Sequence, residues 1–266
     1  MLCKNCQTKL LIESDFCYNC GAKVIRNRLT LKNLLHDFSE QFLNYDNKFL
    51  QTFSHLFIRP ETVIGGYIKG TRKKYVNVIS YFAIALTITG LEYFFIRSFY
   101  PEFLDVSAIS SKGTEAFSNN MLKYVQDYHS LVLMLFVPLY AVMAKVVFFN
   151  IKKYNYTEHL VAFMYIIAQL TIIGAFIVVF SAISGLKMGN ISFYVMLIQV
   201  FYSAYCLKRL YRLSFSGIVL RTLFFIVVLL IFYIIAIFLT LVIMFLTGGT
   251  EFFKEIIEAQ RAAQGG

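Results

Sequence analysis

Residues 160–184 read "LVAFMYIIAQLTIIGAFIVVFSAIS", with no Asp, Glu, Lys, Arg or His in the run. A helix needs about 20 mostly apolar residues to cross the hydrocarbon core of a bilayer. Lipid offers no hydrogen bonds, so a crossing segment must pair its own backbone groups, as a helix does. Residues 222–246, "TLFFIVVLLIFYIIAIFLTLVIMFL", repeat the signal. Three weaker runs join them. Residues 76–96 contain Glu92, residues 130–149 carry Lys145 near one end where it can snorkel, and residues 191–207 are short for a full crossing. The expected fold class is an all-α polytopic membrane protein with five transmembrane helices, preceded by a small N-terminal four-cysteine zinc ribbon.

Composition agrees. Of 266 residues, 58% are hydrophobic and only 15% charged, outside the balance of soluble domains. The N-terminus lacks a basic stretch followed by an apolar one, so no cleaved signal is expected. The net charge of +10 would suggest nucleic acid in a soluble domain. Here the basic residues flank apolar runs and no basic helix presents base-reading side chains, so lipid headgroups and topology explain them better.

Lys69, Arg72, Lys73 and Lys74, then Lys152 and Lys153, then Lys208, Arg209, Arg212 and Arg221 fall on one side of the five runs. The other side carries Arg97, Lys112, Lys123, Lys187, Lys254 and Arg261 in a long loop, a short turn and the tail. The positive-inside rule puts the first side in the cytoplasm. The N-terminus is then cytoplasmic and the C-terminus extracytoplasmic. Four regions follow: a cytoplasmic ribbon over 1–27, an amphipathic and basic segment over 28–75, the five-helix domain over 76–249, and an extracytoplasmic tail over 250–266.

Cys3, Cys6, Cys17 and Cys20 form C-x2-C-x10-C-x2-C. Each CxxC closes a turn that aims two thiolates at one point, and two such turns make a tetrahedral site suited to structural Zn2+. Two disulfides or a redox pair are the alternatives, and a reducing cytoplasm favours the metal. Four thiolates leave no open position for metal catalysis. Cys206, alone in an apolar run, reads as a packing residue.

Residues 29–58 place apolar side chains at Leu31, Leu34, Leu35, Phe38, Phe42, Tyr45, Phe49, Phe53, Leu56 and Phe57. Spacings of three and four predict amphipathic helix, with a break at 44–47. Two placements are open, in the membrane interface or against the bundle. The cluster Lys69, Arg72, Lys73 and Lys74 reads as a topology signal and as a binder of anionic headgroups.

Ionisable and amide groups inside the runs are candidates for function. Glu92 lies near the outer end of the first. Gln169 and Gln199 lie in the third and fourth, where cross-helix hydrogen bonding is their simplest role. Glu158-His159 is not an HExxH zinc motif, and no phosphate-binding loop, nucleophile elbow or dinucleotide fingerprint occurs. An enzyme therefore has no positive support.

The order of features is more specific than any one of them. "FCYNCG" is followed by "RLTLKNLLHDF" and then by "NKFLQTFSHLFIRPETVIGGYIKGTRKKY", which runs into the first span. This resembles the bacterial zinc-ribbon multi-pass membrane proteins grouped as domain-of-unknown-function family 3667, of the Bacteroidetes type. The likeness is firmest over residues 1–81. Where that family commonly shows GKR, this chain has Gly70-Thr71-Arg72, and where it commonly has a proline, Val78 follows Asn77. The resemblance implies a bacterial inner membrane and no established activity. The five-span layout is also similar to Yip-type membrane proteins, in architecture only. The expected function is a non-enzymatic scaffold or adaptor in contact with membrane lipids, with a protein partner taken through the ribbon. The alternative is a small-solute or lipid transporter with a polar site at Glu92, Gln169 and Gln199.

Overall fold

The computed structural model describes residues 1–22, 24, 30, 48–104 and 128–246. Most of the amphipathic segment before residue 48, the loop at 105–127 and the expected tail over 250–266 lie outside the described residues. The chain divides into two compact units, Met1–Lys48 and Phe49–Gly266. Over its described residues the first is a set of tight turns around Cys3, Leu10 and Cys17, with an isolated antiparallel bridge between Leu2 and Lys9. Such a small core needs a cross-link or metal.

The regular secondary structure among the second unit's described residues is all helical. Two short helices, α1 (Lys48–Ile58) and α2 (Pro60–Ile68), lead to five long ones. These are α3 (Val78–Phe99), α4 (His129–Val147), α5 (Tyr156–Ile183), α6 (Met188–Tyr211) and α7 (Phe215–Leu246). All five are long and apolar enough to cross a membrane. A short 3-10 turn, Pro101–Leu104, follows α3.

Caps set the helix ends. The Asn77 side chain accepts from the Ile79 amide at 3.0 Å to start α3. Asn155 and Glu158 form a reciprocal capping box at the start of α5. Ser214 accepts from the Gly217 amide at 3.2 Å to start α7. The caps of α5 and α7 lie outside the apolar windows, so these helices begin at 156 and 215 rather than near 160 and 222. α6 is continuous over 24 residues, several more than its apolar stretch of 191–207.

α5 is the most buried of the five and touches α2, α3, α4 and α6. α7 lies against α4 and α6 and is the least buried. α1 and α2 pack into the core of this unit, where Leu56, Val63 and Ile64 are fully buried together with Tyr81, Tyr165 and Ile166. Of the two placements open for the amphipathic segment, its described part, 48–58, takes the one against the bundle.

The physical reason is hydrogen bonding. The last carbonyls of a helix have no partner within it, which is costly in apolar surroundings. Here the bundle supplies donors. The Tyr202 hydroxyl donates to Leu56 O at 3.2 Å, and the Tyr205 hydroxyl to Ile58 O at 3.0 Å. Arg59 N donates to His55 O at 2.8 Å. α2 then ends in a Schellman motif. Thr71 N donates to Gly66 O and Gly70 N to Tyr67 O, with Gly70 at φ +98°, which a side chain would strain. An Arg209–Glu61 pair, Nη2 to Oε1 at 2.7 Å and Nε to Oε2 at 3.0 Å, ties α2 to α6.

Candidate metal centre and polar groups of the bundle

The two CxxC turns repeat each other bond for bond. Gln7 N donates to Cys3 O and Cys3 N to Thr8 O; Gly21 N donates to Cys17 O and Cys17 N to Ala22 O. Both knuckles turn on a left-handed residue, Gln7 at φ +61° and Gly21 at φ +71°. All four cysteines are free thiols, and all four sulfurs lie within 4.8 Å of one another. Cys3 Sγ is 3.7 Å from Cys20 Sγ, and Cys6 Sγ is 3.5 Å from Cys17 Sγ. Each short distance crosses between knuckles, so the four can share one metal ion. Among the described residues this is the one His/Cys/Asp/Glu group with that geometry.

Neighbours bias the thiols. Cys6 sits beside the Thr8 hydroxyl at 3.2 Å, and Asn19 Nδ2 bridges to that hydroxyl at 3.0 Å. Hydrogen bonds from the Thr8 side chain and backbone pull the Cys6 thiol down to about 6. Amides of Cys20 and Asn19 act in the same sense on Cys17, but burial and the neighbouring thiols of Cys6 and Cys20 outweigh them and push it up to about 11. Cys20 is lowered, chiefly by the Ala22 amide. Hydrogen bonding therefore favours the thiolate form at Cys6 over that at Cys17.

Lys69, Arg72, Lys73 and Lys74 are all exposed around the α2–α3 turn. The Arg72 guanidinium lies 4.8 Å from the Tyr67 ring centroid, and Lys74 Nζ 5.5 Å from that of Tyr75. The loop between α4 and α5 and the end of α6 gather at the same end of the bundle. Lys153 Nζ donates to Leu210 O at 2.8 Å, and burial with the charges of Arg212 and Lys69 holds its ammonium below the usual range.

The three polar residues of the spans do not form one site. Gln169 is fully buried, accepts from the Tyr81 hydroxyl through Oε1, and donates to Phe53 O at 3.2 Å. Both ends of the amide are thereby used in structure. Glu92 is half-buried on α3 and lines no described cavity. Gln199 lines a cavity of about 380 Å3 bounded by α4, α5, α6 and α7.

Sequence reasoning missed two features. His159, dismissed for want of a zinc motif, is buried with Nδ1 at 2.7 Å from Asn155 O and Nε2 at 2.6 Å from the Tyr211 hydroxyl. A neutral ring with its proton on Nδ1 satisfies both, since the carbonyl only accepts and Tyr donates. Tyr211 in turn stacks on Phe148 at 4.1 Å. Arg221, counted only toward topology, points at the cavity from within α7.

These features define a class: a multi-pass helical membrane protein with an N-terminal four-cysteine cluster able to hold a metal. Residues 46–90 match the model of a family described as a protein of unknown function, DUF3667. That supports the resemblance over α1, α2 and the first half of α3, and the match does not extend to the cysteine cluster. No curated protein and no solved structure matches the chain.

Proposed function

We propose that the protein is a non-enzymatic adaptor of the bacterial inner membrane, with a cytoplasmic ribbon held by structural Zn2+ that recruits a protein partner. The observation carrying this reading is the closed four-sulfur cluster. A Zn–S bond of about 2.3 Å sets tetrahedral S–S separations of about 3.8 Å. Two of the separations here are 3.5 and 3.7 Å, and none exceeds 4.8 Å. A filled thiolate shell holds a fold together and leaves no position for a substrate. Leu11 and Tyr18, both exposed on this unit, are the contacts it offers a partner. The basic side carrying Lys69, Arg72, Lys73 and Lys74 faces the cytoplasm and anionic headgroups in this reading.

Two measurements test it. Metal analysis of the purified protein is expected to give about one zinc per chain, lost on Cys17→Ser. A photocrosslinker at Tyr18 is expected to capture a discrete partner in wild type and none in Cys17→Ser, with membrane insertion unchanged in both. The same crosslinks in both proteins refute recruitment by the ribbon.

The alternative, transport of a lipid or small solute, draws on one observation, the cavity that Gln199 lines. Its other expected site residue at mid-bundle, Gln169, is committed to holding α1.

A further inference from the structure

The cavity between α4, α5, α6 and α7 is long and lined mostly by apolar side chains. On α7 its wall runs from Ile218 to Leu229, about 16 Å at the rise of a helix. That is about half of a 30 Å hydrocarbon core, the depth of one leaflet. On α4 the wall continues as far as His129, at the end of the bundle opposite the basic segments. Aromatic rings of Tyr140, Phe163 and Phe225 lie along the slot. Its volume falls in the range of small-molecule sites.

One end of the slot is charged. Arg221 sits about 9 Å along α7 from its start at Phe215. Its Nε is buried with no hydrogen-bond partner. Nη1 reaches Gly217 O at 3.3 Å and Nη2 reaches Asn150 Oδ1 at 3.4 Å, both long contacts to neutral oxygens. The guanidinium also lies 5.4 Å from the Phe148 ring centroid. Among the described residues no carboxylate pairs with it. Arg stays charged in proteins and presents a fork that matches phosphate oxygens. A permanently charged fork lacking an anionic partner, at the basic end of an apolar slot whose α7 wall alone is one leaflet long, is complementary to one kind of molecule.

We propose that this slot binds a single anionic phospholipid from the leaflet at the basic end, its phosphate on Arg221 and one acyl chain laid along the aromatic wall. The phosphate supplies the partner that Nε lacks. The chain fills apolar volume that water would not stably occupy. The hydroxyls of Ser203 and Thr222 line the same slot and offer donors to the ester groups. The site is distinct from the exposed cluster at 69–74, which meets headgroups without enclosing a chain. The inference does not depend on the adaptor reading, because it concerns α4–α7 and not the ribbon.

The test is native mass spectrometry of the full-length protein in detergent, with added phosphatidylglycerol or phosphatidylethanolamine. Wild type is expected to retain one phosphatidylglycerol roughly tenfold more strongly than phosphatidylethanolamine, whose own ammonium neutralises its phosphate and is repelled by Arg221. Arg221→Gln is expected to bring that ratio close to one, and Lys74→Gln to leave it unchanged. Ser203→Phe, which narrows the slot, is expected to reduce retention of both lipids. Excess inorganic phosphate is expected not to displace the lipid. Equal retention of the two lipids by wild type overturns the proposal without any variant. So does a ratio that survives Arg221→Gln, a bound lipid that survives Ser203→Phe, or displacement by phosphate alone.

Discussion

Gln169 Nε2 donates to the Phe53 carbonyl at 3.2 Å across 116 residues of sequence. On its other side Gln169 Oε1 accepts from Tyr81. One amide thus joins α1, α3 and α5 at a fully buried position. Gln169→Leu fills the space but strands the Tyr81 hydroxyl in apolar surroundings and removes the second donor to the Phe53 carbonyl. The expected loss is about 1–3 kcal/mol, toward the lower end because unfolded helices in a membrane find other partners. A thermal melt in detergent checks it, and an unchanged midpoint refutes the lock.

Tyr202 and Tyr205 cap the end of α1, and their phenols can be removed one at a time. Tyr202→Phe and Tyr205→Phe each delete one donor while keeping the ring. Each is expected to cost about 1 kcal/mol. The effect is local, because Leu56 O and Ile58 O are exit-turn carbonyls of one short helix. Hydrogen exchange should rise over 48–59 and stay constant in the middle of α5. Uniform loosening of both would show that the tyrosines serve the whole bundle and not the α1 terminus.

The five spans were legible because apolar length is a property of a window, and 160–184 and 222–246 carry it without interruption. Their ends were less so. The Asn155–Glu158 capping box was present in the letters, yet it lies before the apolar window, where a hydropathy reading stops. The start of α7 at Ser214 had the same fate, and this is why Arg221 looked like a loop residue when it lies inside a helix. The cysteine cluster was legible from spacing alone, since two CxxC turns admit few geometries. The side that α1 packs on was not. Amphipathicity gives a helix one apolar face but does not name its partner, and Tyr202 and Tyr205 lie nearly 150 residues away.

Gln7 and Gly21 occupy equivalent left-handed positions, at φ +61° and +71°. Only one of them is the residue that conformation favours. Open space surrounds Gly21, so Gly21→Ala tests backbone strain without a clash. It is expected to destabilise the metal-loaded ribbon by about 1 kcal/mol. Gln7→Gly is expected to move stability the other way by a smaller amount, because glycine also gains entropy in the unfolded chain. Competition with a zinc chelator reads both. Equal affinities for the two variants would show that the metal overrides the turns.

Cys6 and Cys17 face each other at 3.5 Å with their thiols displaced in opposite directions. Cys6 is depressed from 9.0 to about 6. Its ionised form therefore contributes stability to the metal-free ribbon above pH 9, and that contribution is lost as pH falls toward 6. Cys17 is raised from 9.0 to about 11. Its contribution is complete below pH 9 and lost as pH rises through 11. At pH 7 the reactive thiolate of the pair is then Cys6, which is also the more exposed. Iodoacetamide should label Cys6 before Cys17 in chelator-stripped, full-length protein, with a rate that halves near pH 6. Thr8→Val removes the leading hydrogen bond and should shift that midpoint upward. Zinc loading should protect all four cysteines. Equal labelling of Cys6 and Cys17 at pH 7 would show that the Thr8 and Asn19 contacts do not organise the site before the metal arrives.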